Sequence, residues 1–270
     1  MLAAIDLRGP MVTGGIARRV PASSRSVRVR LRSLTVCGGF RLRAVSTATS
    51  DSRAALSSVT YAFAGVVYLS LTNRSNAALT MLAANGPGFA FPPGTGFEPL
   101  PHGYEPSAPE AAAAALAAIE ALNSDCENVG PPREIVYAGL GEPLVRLEAL
   151  RDVVQRLATS HQVSAQRLNT NGLLEGGAVV AEQAAQMLAA AGLNSACVQI
   201  QSGDARQHSE LMAPHSGLGL ADAVEFATQL LRAGVAVECS VVARPEVNLE
   251  LAETLALDIG ATFKARPYFP

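Results

Sequence analysis

Three short segments carry the residue types from which a polar binding site is built. Tyr137-Ala-Gly-Leu-Gly-Glu-Pro143 closes a β-rich run. Its glycines, Gly139 and Gly141, leave the backbone open to close approach by a ligand. The carbonyls there, and the Glu142 carboxylate before Pro143, can accept hydrogen bonds from an amine. The same residues also make a plain strand-to-helix turn in which Gly and Pro act as breakers, and spacing leaves both readings open. Leu168-Asn-Thr-Asn-Gly172 sets Asn169, Thr170 and Asn171 before Gly172. Short amides and a hydroxyl in that position reach ribose or carboxylate oxygens, or cap the next helix. The third segment is the Gly/Pro-rich stretch between Thr72 and Pro106. At roughly thirty residues it is long enough for a lid or a site, or is an insertion without a role. Gly86-Pro87-Gly88 within it is a weak signal for an anion nest. His208 and His215 flank Pro214 with no thiol or carboxylate at ligand spacing, which argues against a metal there.

These segments sit on an alternation of strand and helix. The strands are expected at Val66–Asn73, Glu134–Gly141, Gln166–Asn171, Ala196–Ser202, Val235–Ala243 and Thr262–Tyr268. Helices are expected near 107–123, 147–160, 178–191, 205–212, 219–233 and 248–259. Ser107-Ala-Pro-Glu110 reads as a capping box and Asn248 as an N-cap. Gly192, Gly234 and Gly260 fall where helices end in a left-handed residue. Such alternation implies an α/β fold on a parallel sheet, either open or closed as a barrel. Side-chain parity favours the barrel. Val198, Ile200, Val237, Cys239 and Val241 point one way, while Gln199, Gln201, Glu238, Ser240, Lys264 and Arg266 point the other. Charges are rarely buried without partners, so the polar face reads as the lumen of a partly open barrel around a polar ligand. An edge-rich sheet with one wet face is the alternative.

Composition narrows the function classes. The chain has 270 residues, 21 basic and 23 acidic, for a net charge of −2. The first 58 residues hold ten arginines against Asp6 and Asp51, so the body from residue 59 is distinctly acidic. An acidic body disfavours nucleic acid as a partner. No apolar run reaches the ~20 residues of a membrane span. Cys37, Cys126, Cys197 and Cys239 are too scattered for a disulfide framework or a metal site. The Arg- and Ser-rich, acid-poor segment 1–58 is expected to be a disordered organelle transit peptide, plastid favoured over mitochondrion, with 59–270 as the folded domain.

Taken in order, the motifs resemble those of radical S-adenosylmethionine (radical SAM) proteins, and most closely the TatD-linked radical SAM family. VVYLSLTNRSN is similar to the strand that leads into that family's cluster loop, YAGLGEP to its Gly-Glu-Pro element, and RLNTNG to its third strand. VQIQSGDARQHSELMAP resembles the fourth strand with its helix, and FKARPYF the closing strand. The resemblance covers about residues 64–270 and implies a partial (β/α)6 barrel of the TIM-like type. It also implies that Gly139, Gly141, Glu142 and Pro143 meet the methionine amine of S-adenosylmethionine, and that Asn169, Thr170, Asn171, Gly172 and Gln201 meet its ribose and carboxylate.

One departure outweighs the matches. The family pattern implies three cysteines, spaced C-x3-C-x2-C, after Thr72-Asn-Arg74; this chain has Ser75, Leu79 and Leu82. A [4Fe–4S] cluster requires thiolate ligands, so the cluster is expected to be absent unless another protein supplies it. The expectation is a cluster-less protein that binds S-adenosylmethionine or a nucleotide, or acts as a regulator. The alternatives are a non-radical enzyme, with Glu238 or Glu142 as acid or base and Lys264 or Arg266 holding an anion, or a barrel scaffold for a protein partner.

Overall fold

A computed structural model describes residues 57–124 and 133–270. All but the end of the expected transit segment, with Cys37 and Cys126, lies outside the described residues. The sheet has seven strands: β1 (Thr60–Phe63), β2 (Val66–Leu69), β3 (Arg133–Tyr137), β4 (Val163–Thr170), β5 (Ser195–Gln199), β6 (Ala236–Val242) and β7 (Thr262–Arg266). Helices α1 (Ala108–Ser124), α2 (Leu147–Ala158), α3 (Gly177–Ala191), α4 (Ala205–Met212), α5 (Leu220–Arg232) and α6 (Leu249–Asp258) connect them. Strands β2 to β7 are parallel and adjacent in chain order. Right-handed crossovers that always advance in one direction leave every helix on the same face of the sheet. The other face becomes a lumen, so this is a partial (β/α)6 barrel of TIM-like type.

The helices form because their apolar residues recur at i, i+3, i+4 and i+7. Leu150, Val153, Val154 and Leu157 do this on α2, and Ala223, Phe226, Ala227 and Leu230 on α5; all are fully buried. On α3 the stripe is Ala181, Ala184, Ala185 and Leu188. They meet Val67, Leu69, Ile135, Tyr137, Leu168, Val198, Val237 and Val241 of the sheet in one core. Phe226→Ala would remove a ring from that core at a cost of about 4 kcal/mol. Caps fall where expected. Ser107 and Glu110 bond reciprocally, Asn248 accepts from the Leu251 amide, and Gly192 ends α3 in the left-handed region. Among the described residues no helix is long and apolar enough to cross a membrane.

Several features differ from the sequence expectation, among them strand ends: β3 stops at Tyr137 rather than Gly141, and β5 at Gln199 rather than Ser202. Strand β1 was not foreseen. It pairs antiparallel with β2 through Ala64 and Gly65, both at positive φ (52° and 78°), as a two-residue primed hairpin turn requires. Strand β2 stops at Leu69 rather than Asn73. Beyond it the backbone leaves the ladder to pair with the Gly139–Glu142 turn, through Gly141 N to Thr72 O (3.2 Å) and Glu142 N to Arg74 O (2.8 Å).

Candidate functional site

The strand C-termini carry two clusters of different character. One is the junction of the Gly-Glu-Pro and Asn-Thr-Asn-Gly segments. Glu142 is 3% exposed and N-caps the 3₁₀ turn Pro143–Arg146. Its carboxylate accepts from Leu144 N (3.0 Å), Thr170 Oγ1 (2.6 Å) and Asn171 N (2.8 Å). Burial raises its pKa from 4.5 to about 6, against the opposing effect of those three donors. Asn171 in turn donates to Asn76 Oδ1 and accepts from Leu173 N. The carboxylate expected to be exposed to an amine is therefore enclosed and engaged by the chain itself.

The glycines of this junction serve packing within the chain. A Cβ on Gly139 would lie 2.5 Å from Ser70 Oγ, and one on Gly141 would lie within 3 Å of the Thr72 and Arg74 carbonyl oxygens. Gly172 has φ 73° and abuts Val198 and Ala223. The Thr72-Asn-Arg74 exit of β2 is braced from the far end of its loop. Glu105 accepts from Thr72 Oγ1 and Arg74 Nε and pairs with Arg146 at 3.3 Å. The Arg74 hydrogen bond, chief among these, holds the Glu105 carboxyl below the usual range.

The second cluster is the lumen, where a cavity of ≈ 570 Å³ opens. Strand parity places Arg167 and Asn169 of β4, Cys197 of β5, Glu238 of β6, and Lys264 and Arg266 of β7 in its wall. Arg167 is paired with Glu134 at 2.9 Å, and Lys264 faces Glu238 at 3.9 Å. Arg266 has no carboxylate partner among the described residues. Its Nη1 donates to Asn85 Oδ1 (3.1 Å), and its Nε and Nη2 are buried without a hydrogen-bond partner. Burial lowers the Arg266 pKa, opposed by Cys197 and Glu238. Asn169 Oδ1 is likewise buried and unpartnered; both amide atoms of Gln199 are too, but that residue does not line the cavity. Buried polar atoms without partners are few in folded proteins, and the three that belong to lining residues, Asn169 Oδ1 and Arg266 Nε and Nη2, offer one acceptor and two donor nitrogens to a polar ligand.

Of the residues singled out from the sequence, Gly139, Asn169, Glu238, Lys264, Arg266 and Leu82 line this cavity. Gly141, Glu142, Pro143, Thr170, Asn171 and Gly172 do not; they belong to the first cluster. Gln201 lies past the end of β5 at φ 57°, with its Oε1 accepting from Val242 N (3.3 Å), so the strand parity that pointed it inward no longer applies. The sequence reading missed Arg167 and Cys197, which alternation alone would have found. It also missed the aromatic wall. Tyr61 and Tyr68 stack at 4.8 Å, and Phe91 meets Tyr61 edge-on at 5.5 Å.

That wall is shared by the β1–β2 hairpin, which carries Tyr61 and Tyr68, and the long loop after β2, which carries Phe91 and closes the lateral gap between β1 and the tail after β7. Thr95 O accepts from Ala62 N of β1, and on the other side Asn85 O and Gly88 N bond Phe269 of the C-terminal tail. The loop residues do not fit a [4Fe–4S] cluster, which takes thiolates. Ser75 Oγ donates to Ala77 O, Leu79 packs on the core, and Leu82 faces the cavity. Among the described residues no group of three or more His, Cys, Asp or Glu is placed to hold a metal.

No protein-family model matches the chain, and no curated protein matches it. Solved structures do. A radical SAM methyltransferase from Sphaerobacter thermophilus superposes with TM-score 0.50 at 14% identity, over 77% of this chain and 68% of its own. Streptococcus suis SuiB bound to S-adenosylmethionine matches with TM-score 0.49 at 14% identity, over 75% of this chain and 42% of its own. Methylornithine synthase (PylB) matches with TM-score 0.44 at 10% identity, over 75% and 53%. With six parallel strands in chain order, the described chain shares a partial (β/α)6 barrel fold with that methyltransferase.

Proposed function

We propose that this chain is a cluster-less protein of radical-SAM type, of the TatD-linked branch, that binds a small anionic ligand in its lumen. The observation that carries the reading is the ≈ 570 Å³ cavity walled by Asn169 and Arg266, where Asn169 Oδ1 and Arg266 Nε and Nη2 are buried without protein partners. Arg266 and Lys264 would hold a carboxylate or phosphate, and Asn169 Oδ1 would accept from an amine or hydroxyl. Adenosine monophosphate, a nucleotide that carries a phosphate, is the first ligand to try, with S-adenosylmethionine beside it because the resemblance suggests it. Radical chemistry has no place in this reading, because Ser75, Leu79 and Leu82 offer no thiolate. On this reading the protein works inside an organelle, a plastid in preference to a mitochondrion, after segment 1–58 is removed.

Calorimetric titration of the iron-free full chain with S-adenosylmethionine and with adenosine monophosphate tests it. Binding that Asn169→Leu abolishes while the fold persists supports a lumen site. Glu142→Ala is unsuitable as a control, since it strips three donors of their acceptor. Absence of binding by either compound would turn attention to the barrel as a scaffold for a protein partner. A second reading has one observation in its favour: Glu238 and Lys264 face each other across 3.9 Å in the cavity wall. A paired carboxylate and amine can share proton-transfer work in a non-radical enzyme. It predicts turnover without iron that Glu238→Gln removes, and activity indifferent to that change would exclude Glu238.

A further inference from the structure

The lumen cavity has two unlike walls, one charged and one aromatic. Its charged wall comes from strands β4 to β7, where Arg167 is paired with Glu134 of neighbouring β3 and Lys264 with Glu238, while Arg266 stands beside them. Three cations against two carboxylates leave one positive charge in surplus. That surplus resides on Arg266, the cation with no acid partner among the described residues and with two unsatisfied guanidinium nitrogens. A buried guanidinium in this state is costly, and an anion supplied from outside relieves the cost with two charge-assisted hydrogen bonds. The wall that meets it at Asn85 comes from the β1–β2 hairpin and the loop. It presents Tyr61, Tyr68, Met81, Phe89, Phe91 and, from the tail, Phe269. These rings already pack edge-on and stacked upon one another, the arrangement that receives a further flat ring.

We propose that the lumen takes an anion with a flat apolar body, an aromatic carboxylate or phosphate whose head sits at Arg266 and Lys264 and whose ring lies against Tyr61, Tyr68 and Phe91. The inference rests on the lumen being a ligand site and narrows the class of ligand. The sulfonium of S-adenosylmethionine would add positive charge to a wall already carrying a surplus, so that compound binds more weakly than a simple aromatic acid.

The test is calorimetric titration of the full chain with naphthoate, naphthylmethanol, acetate, adenosine monophosphate and S-adenosylmethionine. Naphthoate is expected to bind at least about tenfold more tightly than the alcohol, the worth of one charge-assisted contact, while acetate alone gives no measurable heat. Arg266→Met is expected to weaken naphthoate by about tenfold or more and to leave the unfolding midpoint unchanged or raised. Should that variant fail to fold, Lys264→Met tests the charged wall, its side chain being 55% exposed, and Phe91→Leu tests the other. Equal affinity for acid and alcohol, or naphthoate binding indifferent to these substitutions, overturns the proposal. Binding of adenosine monophosphate or S-adenosylmethionine without naphthoate overturns it too, but leaves the ligand-site reading standing. Heat from none of the five overturns both.

Discussion

Glu142 ties two strand exits together, and its titration should be visible in the stability of the whole domain. Its carboxyl is raised from 4.5 to about 6 in the folded chain, so between those values the folded state holds a proton that the unfolded state has released. Stability from this group is full below pH 4.5 and is lost as pH rises through about 6; at pH 7 the loss is about 2 kcal/mol. Glu105 and Glu110, whose carboxyls are lowered, act in the opposite sense and below that window. Denaturant midpoints at pH 5 and pH 7.5 should show the wild type losing stability with pH, with Glu142→Gln flattening the slope. Glu142→Ala should cost about 3 kcal/mol or more at either pH, because it leaves the Leu144 and Asn171 amides and the Thr170 hydroxyl without their acceptor. An unchanged slope in Glu142→Gln would remove Glu142 as the source. At this scale the sequence revealed that the Gly-Glu-Pro and Asn-Thr-Asn-Gly segments matter, but not to whom. Polar residues beside glycine look alike whether they bind a ligand or each other, and only the 2.6 Å contact between Thr170 and Glu142 separates the cases.

Among the elements, the helices were legible because their burial follows one period, and α2 and α5 show it without interruption. The loop after β2 was not, because its order comes from contacts with partners remote in sequence. Gly86 and Gly88 are required there by the C-terminal tail. Gly86 sits at φ 104°, and a Cβ on it would run into the Phe269 backbone. Gly86→Ala should therefore release the bond from Phe269 N to Asn85 O (2.8 Å). The expected result is faster hydrogen exchange at the Phe269 amide and a loss of about 2 kcal/mol, combining backbone strain with the lost contact. Exchange as slow as in the wild type would mean the tail is held without the loop. Ser107→Ala, by contrast, removes only an exposed cap of α1, and a loss of about 1 kcal/mol in chemical denaturation is expected. The hairpin strand β1 had a readable signal in its Ala64-Gly65 step between β-rich runs, but four residues are too few for alternation to register.

For the molecule as a whole, the question is what a barrel of this fold does when its loop offers no thiolate. Cys197 lies in the lumen wall and Cys239 faces the helices, so the sheet itself separates the two cysteines of the described residues. Burial raises both thiols, Cys239 to about 12, and so works against the thiolate that iron requires. The Cys197 thiol donates to Ser240 Oγ (3.3 Å), a bond that any metal would have to displace. The loop, for its part, is committed elsewhere: its early residues pair with α4 through Ala78 N to Ala213 O and Leu79 N to Met212 O, and its later ones seal the barrel's side. Anaerobic reconstitution of the full chain with iron and sulfide should then leave far fewer than the about four irons per chain of one [4Fe–4S] cluster. Cys197→Ser should not change that content. Iron and acid-labile sulfide near a ratio of one, at about four per chain, would show that the fold assembles a cluster from other residues, and the lumen would then have to be reconsidered as a cofactor site. Low iron together with tight binding of an aromatic acid would instead leave the barrel with the pocket of its fold and a different occupant.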